Sequence, residues 1–348
     1  MEYVLSVIDS IQNFLWTYVV ITLLVGSAVY FTWCLRGVQF LQLRELLRLL
    51  FSSNNLEKNA QSNVKRHINS FQAFAVSLSS RVGTGNLAGV ASAIAIGGPG
   101  AVFWMWISAL LGMGTKFAEV TLAVHFRERN AKGDYVGGPM YYIKNGLGQT
   151  WIWLAYMYAF FGVCAVFGTG NATQVNTITA AVNTALINYG LVTADSVRGV
   201  NLVIGIFICI IVALILIGGV KRIGRVSEKL VPFMAVLYIL LGIGLIVMNI
   251  GHVPAVFASI FQGAFNPAAV TGGVVGSMFV SMTKGVSRGI FSNEAGLGSA
   301  PMAHAASSES DPVKQGLYGI FEVFMDTIVI CTLTALTVLC ALEVGVPI

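Results

Sequence analysis

Charge is scarce in this sequence: acidic and basic side chains make up 10% of its 348 residues, against 56% for hydrophobic ones. So few polar groups cannot cover a soluble domain of any size, and the chain reads as a polytopic membrane protein. Cysteine is sparse too. Cys34, Cys164, Cys209, Cys331 and Cys340 each sit inside an apolar run at unrelated spacing, which argues against a disulfide framework or a thiolate metal site and for small buried hydrophobes. The four histidines, His67, His125, His252 and His304, fall at the ends of apolar runs or between them, and there is no HExxH. A membrane-embedded enzyme would need a nucleophile, a metal or a convergent acid and base, and the sequence offers none of these patterns. The N-terminus lacks a basic n-region and an A-x-A-like cleavage site, so no cleaved signal peptide is expected. Leu5, Ile8, Ile11 and Leu15 instead predict a short amphipathic helix on the outer surface.

Long apolar runs dominate what is present. Spans of about 20 residues are expected at Phe14 to Leu35, Phe71 to Ile96, Ala101 to Phe126, Trp151 to Ile187, Val200 to Ile217, Leu230 to Ile250, Pro267 to Ile290 and Gly316 to Leu342, making eight crossings. The net charge of +5 reflects topology. Of the 20 Lys and Arg, 17 fall in alternate connections, from Arg36 to Arg66, Arg127 to Lys144, Lys221 to Lys229, and Lys284, Arg288 and Lys314 at or beside the last. By the positive-inside rule these connections are cytoplasmic and the N-terminus lies outside the cell membrane. The partner implied is the lipid bilayer, and no nucleic-acid role is assigned.

The second span carries the most informative residues. Its middle reads Ser79-Ser80-Arg81-Val82-Gly83-Thr84-Gly85-Asn86, which weakens a helix at the midplane, where unpaired main-chain groups are tolerated only inside protein or beside a cavity. Such a break presents N–H groups and the positive end of a half-helix to an anion. Gly85 and Gly89, spaced as small-xxx-small, also fit plain helix packing. In the third span Lys116 and Glu119 lie three apart and read as an ion pair. The tetrapeptide GTGN recurs at 168–171, followed by Gln174, which has the reach to meet a ligand or a neighbouring helix. The seventh span is again rich in glycine and polar residues from Thr271 to Ser277, and by the charge pattern it runs opposite to the second. Two interrupted helices five spans apart and antiparallel are what an inverted five-plus-five repeat predicts. The expected organisation is an outer amphipathic segment, peripheral first span and cytoplasmic linker over residues 1–69, a first five-span repeat over 70–266, and two spans of an incomplete second repeat over 267–348. Leu41 to Phe51 is expected along the inner leaflet, and Ser52 to His67 as flexible linker.

GTGNLAGVASAIAIGGPGAVFWMW, GMGTKFAEVTLAVHFRE, GGPMYYI, RGIFSNEAGLGSAPMAHA and FMDTIVICTLTAL resemble the alanine or glycine:cation symporter family, within the amino acid, polyamine and organocation superfamily. The resemblance implies an all-α, LeuT-type inverted repeat of about eleven spans, here truncated after the eighth, that carries small neutral amino acids such as alanine or glycine inward with sodium or, in some members, protons. It implies a substrate site lined by Gly83, Thr84, Gly85, Asn86, Gln174, Gly272, Gly273, Gly276 and Ser277.

The residues themselves give the chemistry of such a site. Backbone N–H groups near Gly85 and Asn86 suit a carboxylate, and Thr84, Asn86 and Gln174 offer acceptors to an ammonium. No cofactor is expected, only a coupling cation. Sodium would draw oxygens from Thr84 and Asn86, with Asp326 or Thr327 completing the set. A proton would need a titrating carboxylate, for which Glu322 and Asp326, four apart on one face, are the free candidates. A channel and a non-transporting amino-acid sensor remain as alternatives.

Overall fold

The computed structural model describes residues 2–42, 44–45, 48, 68–193, 196–266 and 278–345. The expected linker 52–67 and the stretch holding Gly272, Gly273, Gly276 and Ser277 lie outside the described residues. The described chain is almost wholly helical. Glu2–Phe14, Leu15–Val20 and Ile21–Cys34 run on as one helix, α1. The amphipathic segment is therefore the start of the first span and not a separate surface helix, because Phe14 keeps helical dihedrals (φ −63°, ψ −49°) and no glycine or proline interrupts the passage.

Among the described residues, six helices are long and apolar enough to cross a membrane: Ser6–Cys34 within α1, Gly100–His125 (α4), Gln149–Asn188 (α5), Val197–Leu216 (α6), Gly219–Met248 (α7) and Pro312–Glu343 (α11). The second expected span is missing from this set because it is interrupted, and the seventh, expected over 267–290, lies partly outside the described residues. The second consists of Ser70–Ser79 (α2) and Gly85–Gly97 (α3). Beyond a separate helix, Val253–Phe265 (α8), the described part of the seventh belongs to Met278–Asn293 (α9), and a short helix, Ser299–Ala305 (α10), follows it. Local chemistry fixes several of the ends. Asn69 and Gln72 form a reciprocal capping box at α2, and Asp311 Oδ1 accepts from Val313 N at 2.9 Å to start α11, with Pro312 supplying a first residue that needs no acceptor.

α4 is the spine of the molecule. It runs from the Gly97–Gly100 turn to a basic end, where Glu128–Arg129 pairs with Tyr135–Val136 in a short hairpin. Glycines let its neighbours approach to main-chain contact. On α9, a Cβ at Gly289 would fall 3.4 Å from the Met105 Cα, and Gly285 sits just as tightly on the Ala101 carbonyl; on α11, a Cβ at Gly319 would fall 3.2 Å from the Lys116 carbonyl. Val90 and Ile94 of α3, Val102 and Met105 of α4, Val256 and Ile260 of α8, and Ala335 and Leu339 of α11 close one apolar core. Burying side chains of this size is worth roughly 1.5–3 kcal/mol each relative to water, but hydrocarbon gives no such return. In a bilayer, close packing and paired polar groups must hold these helices instead.

This packing also fixes depth. Lys284 lies beside Gly97, level with the start of α4, and Arg288 is one turn deeper. Both are thus at the end opposite the basic hairpin, and the charge pattern had placed them in or beside a cytoplasmic connection. The reason is that α9 ends at Asn293 and the chain continues through a break and α10 before it reaches the basic end.

Candidate functional site

The second span breaks where its glycines predict. Between Ser79 and Gly85 the regular helix is lost, and it resumes with wider turns, Gly89 N donating to the Thr84 carbonyl five residues back at 2.9 Å. Two main-chain donors in the break are met by side chains. Gly83 N donates to Asn86 Oδ1 at 3.1 Å, and Thr84 N to Gln174 Oε1 at 3.4 Å. Gly83 is required for this approach, since a Cβ there would fall 2.9 Å from Gln174 Oε1. Gly85 does something else: it is buried with its α-hydrogen side on Ser292, whose Cα would lie 3.1 Å from an added Cβ. A cavity of about 270 Å³ runs beside the break, lined by Val82, Gly83 and Asn86 on one wall and by Met234, Tyr238 and Ile330 on the others.

Asn86 reaches from the break to the middle of α11. Its Nδ2 donates to Asp326 Oδ1 at 2.8 Å, to the Asp326 carbonyl at 3.1 Å and to Ser292 Oγ at 3.0 Å. Ser292 Oγ and Thr327 Oγ1 each donate to Asp326 Oδ2 at 2.8 Å, and Asn293 Nδ2 donates to Thr327 Oγ1 at 3.2 Å. Asn86, Ser292, Asn293, Asp326 and Thr327 are all buried. Around Asp326 the helix winds in wider turns over Phe324–Cys331, a feature frequent at functional sites. Asp326 thus has three neutral side-chain donors and no direct ion pair among the described residues. Oxygens from three helices converge here within a few ångströms.

One turn towards the basic end, a separate network carries the charges. Arg81 forms an ion pair with Glu322, lies 3.5 Å through Nε from Glu294 Oε2, and donates from Nη1 to Ser77 Oγ at 3.2 Å. Glu322 Oε2 also meets His304 Nε2 at 3.4 Å, and the Gln315 amide donates to His304 Nδ1 at 2.7 Å, which places the ring proton on Nε2. Sequence position had put His304 at a span end or in a connection. It is wholly buried, because α10 re-enters the protein after the break. Glu322 likewise is no free carboxylate. Lys116 and Glu119 approach to 3.6 Å, as their spacing predicts, but Lys116 also donates to the Glu294 carbonyl at 2.8 Å.

That carbonyl belongs to a second break. Between Asn293 and Ser299 the chain leaves the helix through Glu294 (φ +51°), Gly296 (φ +91°) and Gly298 (φ +82°). A left-handed glutamate is uncommon, and here both ends of the residue are tied down, the side chain by Arg81 and Ser299, the carbonyl by Lys116. The interruption expected at Gly272 to Ser277 lies outside the described residues, and the break at 294–298 was not expected. The signal for the observed one was the Gly-Leu-Gly after Glu294 and Ala295, whose two glycines occupy the left-handed positions.

The expected site residues therefore divide by place. Gly83, Thr84, Asn86 and Gln174 meet at the first break, and Asn86 joins it to Asp326 and Thr327. Thr84 stands on the Gln174 side and makes no contact with the Asp326 cluster among the described hydrogen bonds. The second GTGN, at 168–171, does not break α5; it lies in wider turns, Val166–Ala172, within a continuous helix. Ser292, Asn293 and Arg81 were not singled out as site residues.

Comparison with known proteins gives this geometry a context. The sodium:alanine symporter family matches residues 1–346. An uncharacterized transporter of Haemophilus influenzae is 44% identical over 333 residues, which is 95% of this chain and 69% of that protein. The sodium/alanine symporter AgcS of Methanococcus maripaludis is 40% identical over the same length, with the same shares. The probable sodium/glutamine symporter GlnT of Bacillus subtilis is 41% identical over 344 residues, 97% of this chain and 66% of its own length. The chain thus spans about two thirds of the length of these relatives. With its apolar helices and two helix breaks, this multi-pass membrane protein is a transporter and not an enzyme, and it belongs to the sodium:alanine symporter family.

Proposed function

We propose that the protein is a secondary active transporter that carries a small neutral amino acid, alanine or glycine, into the cell together with sodium by alternating access. The observation that carries this reading is at the first break. The N–H groups of Gly83 and Thr84 have side-chain amide oxygens as acceptors, one turn from a buried cluster built around a carboxylate. A substrate carboxylate offers the same acceptor chemistry as Asn86 Oδ1 and Gln174 Oε1, with a full charge and at the positive end of α3, so it replaces them favourably. The cavity of about 270 Å³ beside Gly83 and Asn86 suits a small side chain, being walled by Val82, Met234 and Ile330. Gly272, Gly273, Gly276 and Ser277 stay in the proposal as substrate contacts from the preceding stretch of the seventh span.

Sodium is the transported ion in this reading. Asp326, Ser292 and Thr327, with Asn86 Oδ1 once the amide releases Gly83, supply oxygens of the hard kind that sodium prefers. A shared Asn86 couples the two ligands: the substrate frees its oxygen from Gly83, and the ion takes it up. Each ligand then raises the affinity of the other by the same factor. The proton-coupled alternative rests on Asp326 having no direct basic partner among the described residues, which leaves it able to exchange a proton during the cycle. The deciding measurement is alanine uptake into proteoliposomes under a sodium gradient at fixed pH, then under a pH gradient without sodium. Uptake in the first condition alone supports sodium. Uptake in the second alone replaces it with the proton, and tight binding with no flux in either overturns transport.

A further inference from the structure

Lys284 and Arg288 are two cations towards the end opposite the basic hairpin that the transport reading leaves unused. They lie one turn apart on α9, so their side chains share a face and repel one another. Among the described residues neither meets a carboxylate; Arg288 is placed 5.9 Å from the Phe291 ring. Both line a cavity of about 340 Å³ between α9 and α1, within the range of small-ligand sites. The facing wall carries Gln12, Asn13 and Thr17 of α1, and Ser287 stands between the cations. No hydrogen bond joins the two walls among the described residues, so amide, hydroxyl and cationic donors converge on one space. The acid nearest in sequence is Asp9, one turn before Asn13 on α1.

We propose that this cleft between α1 and α9 binds the phosphate of an anionic phospholipid headgroup. Depth supports a lipid source. Lys284 is level with Gly97 and the turn that ends the second span, which is where headgroups meet a protein whose spans end together. Phe14, Tyr18 and Phe279 are exposed around the cleft and give an acyl chain an apolar surface to follow. The guanidinium of Arg288 takes two phosphate oxygens, and Lys284, nearer the surface, adds a point charge. Two cations that meet no carboxylate among the described residues favour a headgroup that carries net negative charge over a zwitterionic one, whose own ammonium they repel. The site also accounts for two basic residues kept on the side that the positive-inside rule disfavours.

The test is native mass spectrometry of the purified, delipidated chain after incubation with equal amounts of phosphatidylglycerol and phosphatidylcholine. We expect one phosphatidylglycerol retained with a preference of roughly thirtyfold, the factor for two cations at a membrane surface. Lys284→Gln with Arg288→Gln should bring that ratio close to one. Thr17→Leu, which crowds the facing wall with all charges kept, should also lower retention and guards against misfolding of the double variant. Equal retention of the two lipids by the wild type, or an unchanged preference in the double variant, overturns the proposal. Displacement of the lipid by millimolar inorganic phosphate overturns the lipid assignment in favour of a soluble anion. Because sodium-dependent uptake is read separately, failure here leaves the transport reading untouched.

Discussion

Asp326→Asn keeps the shape of the side chain at the centre of the buried cluster and removes its charge. In the wild type, Oδ1 accepts from Asn86 Nδ2, and Oδ2 accepts from both Ser292 Oγ and Thr327 Oγ1, all at 2.8 Å. If the new amide nitrogen takes the Oδ2 position, two hydroxyls lose their acceptor and must turn. If it takes the Oδ1 position, it faces the amide nitrogen of Asn86. The smaller of these losses is one hydrogen bond to a charged group, about 1.5–3 kcal/mol, and a bound cation loses its carboxylate as well. Taking the lost carboxylate–sodium contact as one interaction of that size, the sodium concentration for half-saturation rises by roughly 10- to 150-fold. Thermal unfolding of the purified chain, titrated with sodium chloride against choline chloride at fixed pH, reads the affinity directly, because a ligand that binds only the folded state stabilises it by RT ln(1 + [L]/Kd). The wild type should climb at low sodium and the variant only at much higher sodium. Superimposable sodium curves for the two proteins would refute the assignment of the ion to this cluster.

Gln174 Oε1, once the substrate carboxylate has displaced it from the Thr84 N–H, is free to accept from the substrate ammonium, so Gln174→Leu should weaken alanine binding by about 1–3 kcal/mol with the sodium curve of the free protein unchanged; unchanged alanine affinity would make Gln174 a packing residue. Gly85→Leu should fail by pushing α3 off Ser292, so loss of thermal stability in detergent should precede any effect on affinity, and a stable, well-folded variant would contradict the packing described. Arg81→Gln leaves Glu322 buried without its cation and should cost about 3–5 kcal/mol, whereas Arg81→Met combined with Glu322→Met should recover most of that loss in the same unfolding assay. At the hairpin, donation from Lys144 and Asn145 holds the Glu128 carboxyl below its ordinary range, so its contribution is present above the unfolded pKa and is lost as pH falls through the lower folded value. Amide exchange should therefore show hairpin protection falling on acidification in the wild type, and protection already weaker at neutral pH in Glu128→Gln, with no further acid loss; identical profiles would remove the effect.

The first break was legible because glycine and polar residues at the midpoint of an apolar run have few physical outcomes. The meeting of Asn86 with Asp326 and Thr327 was legible in part, as oxygens that a cation would need. What stayed hidden depends on how the chain returns. His304 looks like a connection residue by its distance from apolar runs, and only the re-entry of α10 buries it beside Glu322. Arg81 gives no sign in the sequence of which acids it meets, since Glu294 and Glu322 lie more than 200 residues away along the chain. Lys284 and Arg288 misled because charge counting assigns a residue to the nearer loop, and the second break displaces the whole of α9 towards the other end.

The glycines that seat α9 and α11 on α4 have a mechanical consequence. Where main chain rests on main chain, a slip by one residue, about 1.5 Å, drives a neighbouring side chain into a carbonyl, so these seams cannot act as sliding surfaces. Along α5 and α6 the opposite holds: Gly162, Gly168, Gly199 and Gly205 have no heavy atom within 4 Å of where a Cβ would stand, among the described residues. Both helix breaks are anchored to the tight assembly, through Ser292 and Arg81. In the proposed alternating-access cycle this assembly would move as one stiff body that carries both breaks with it.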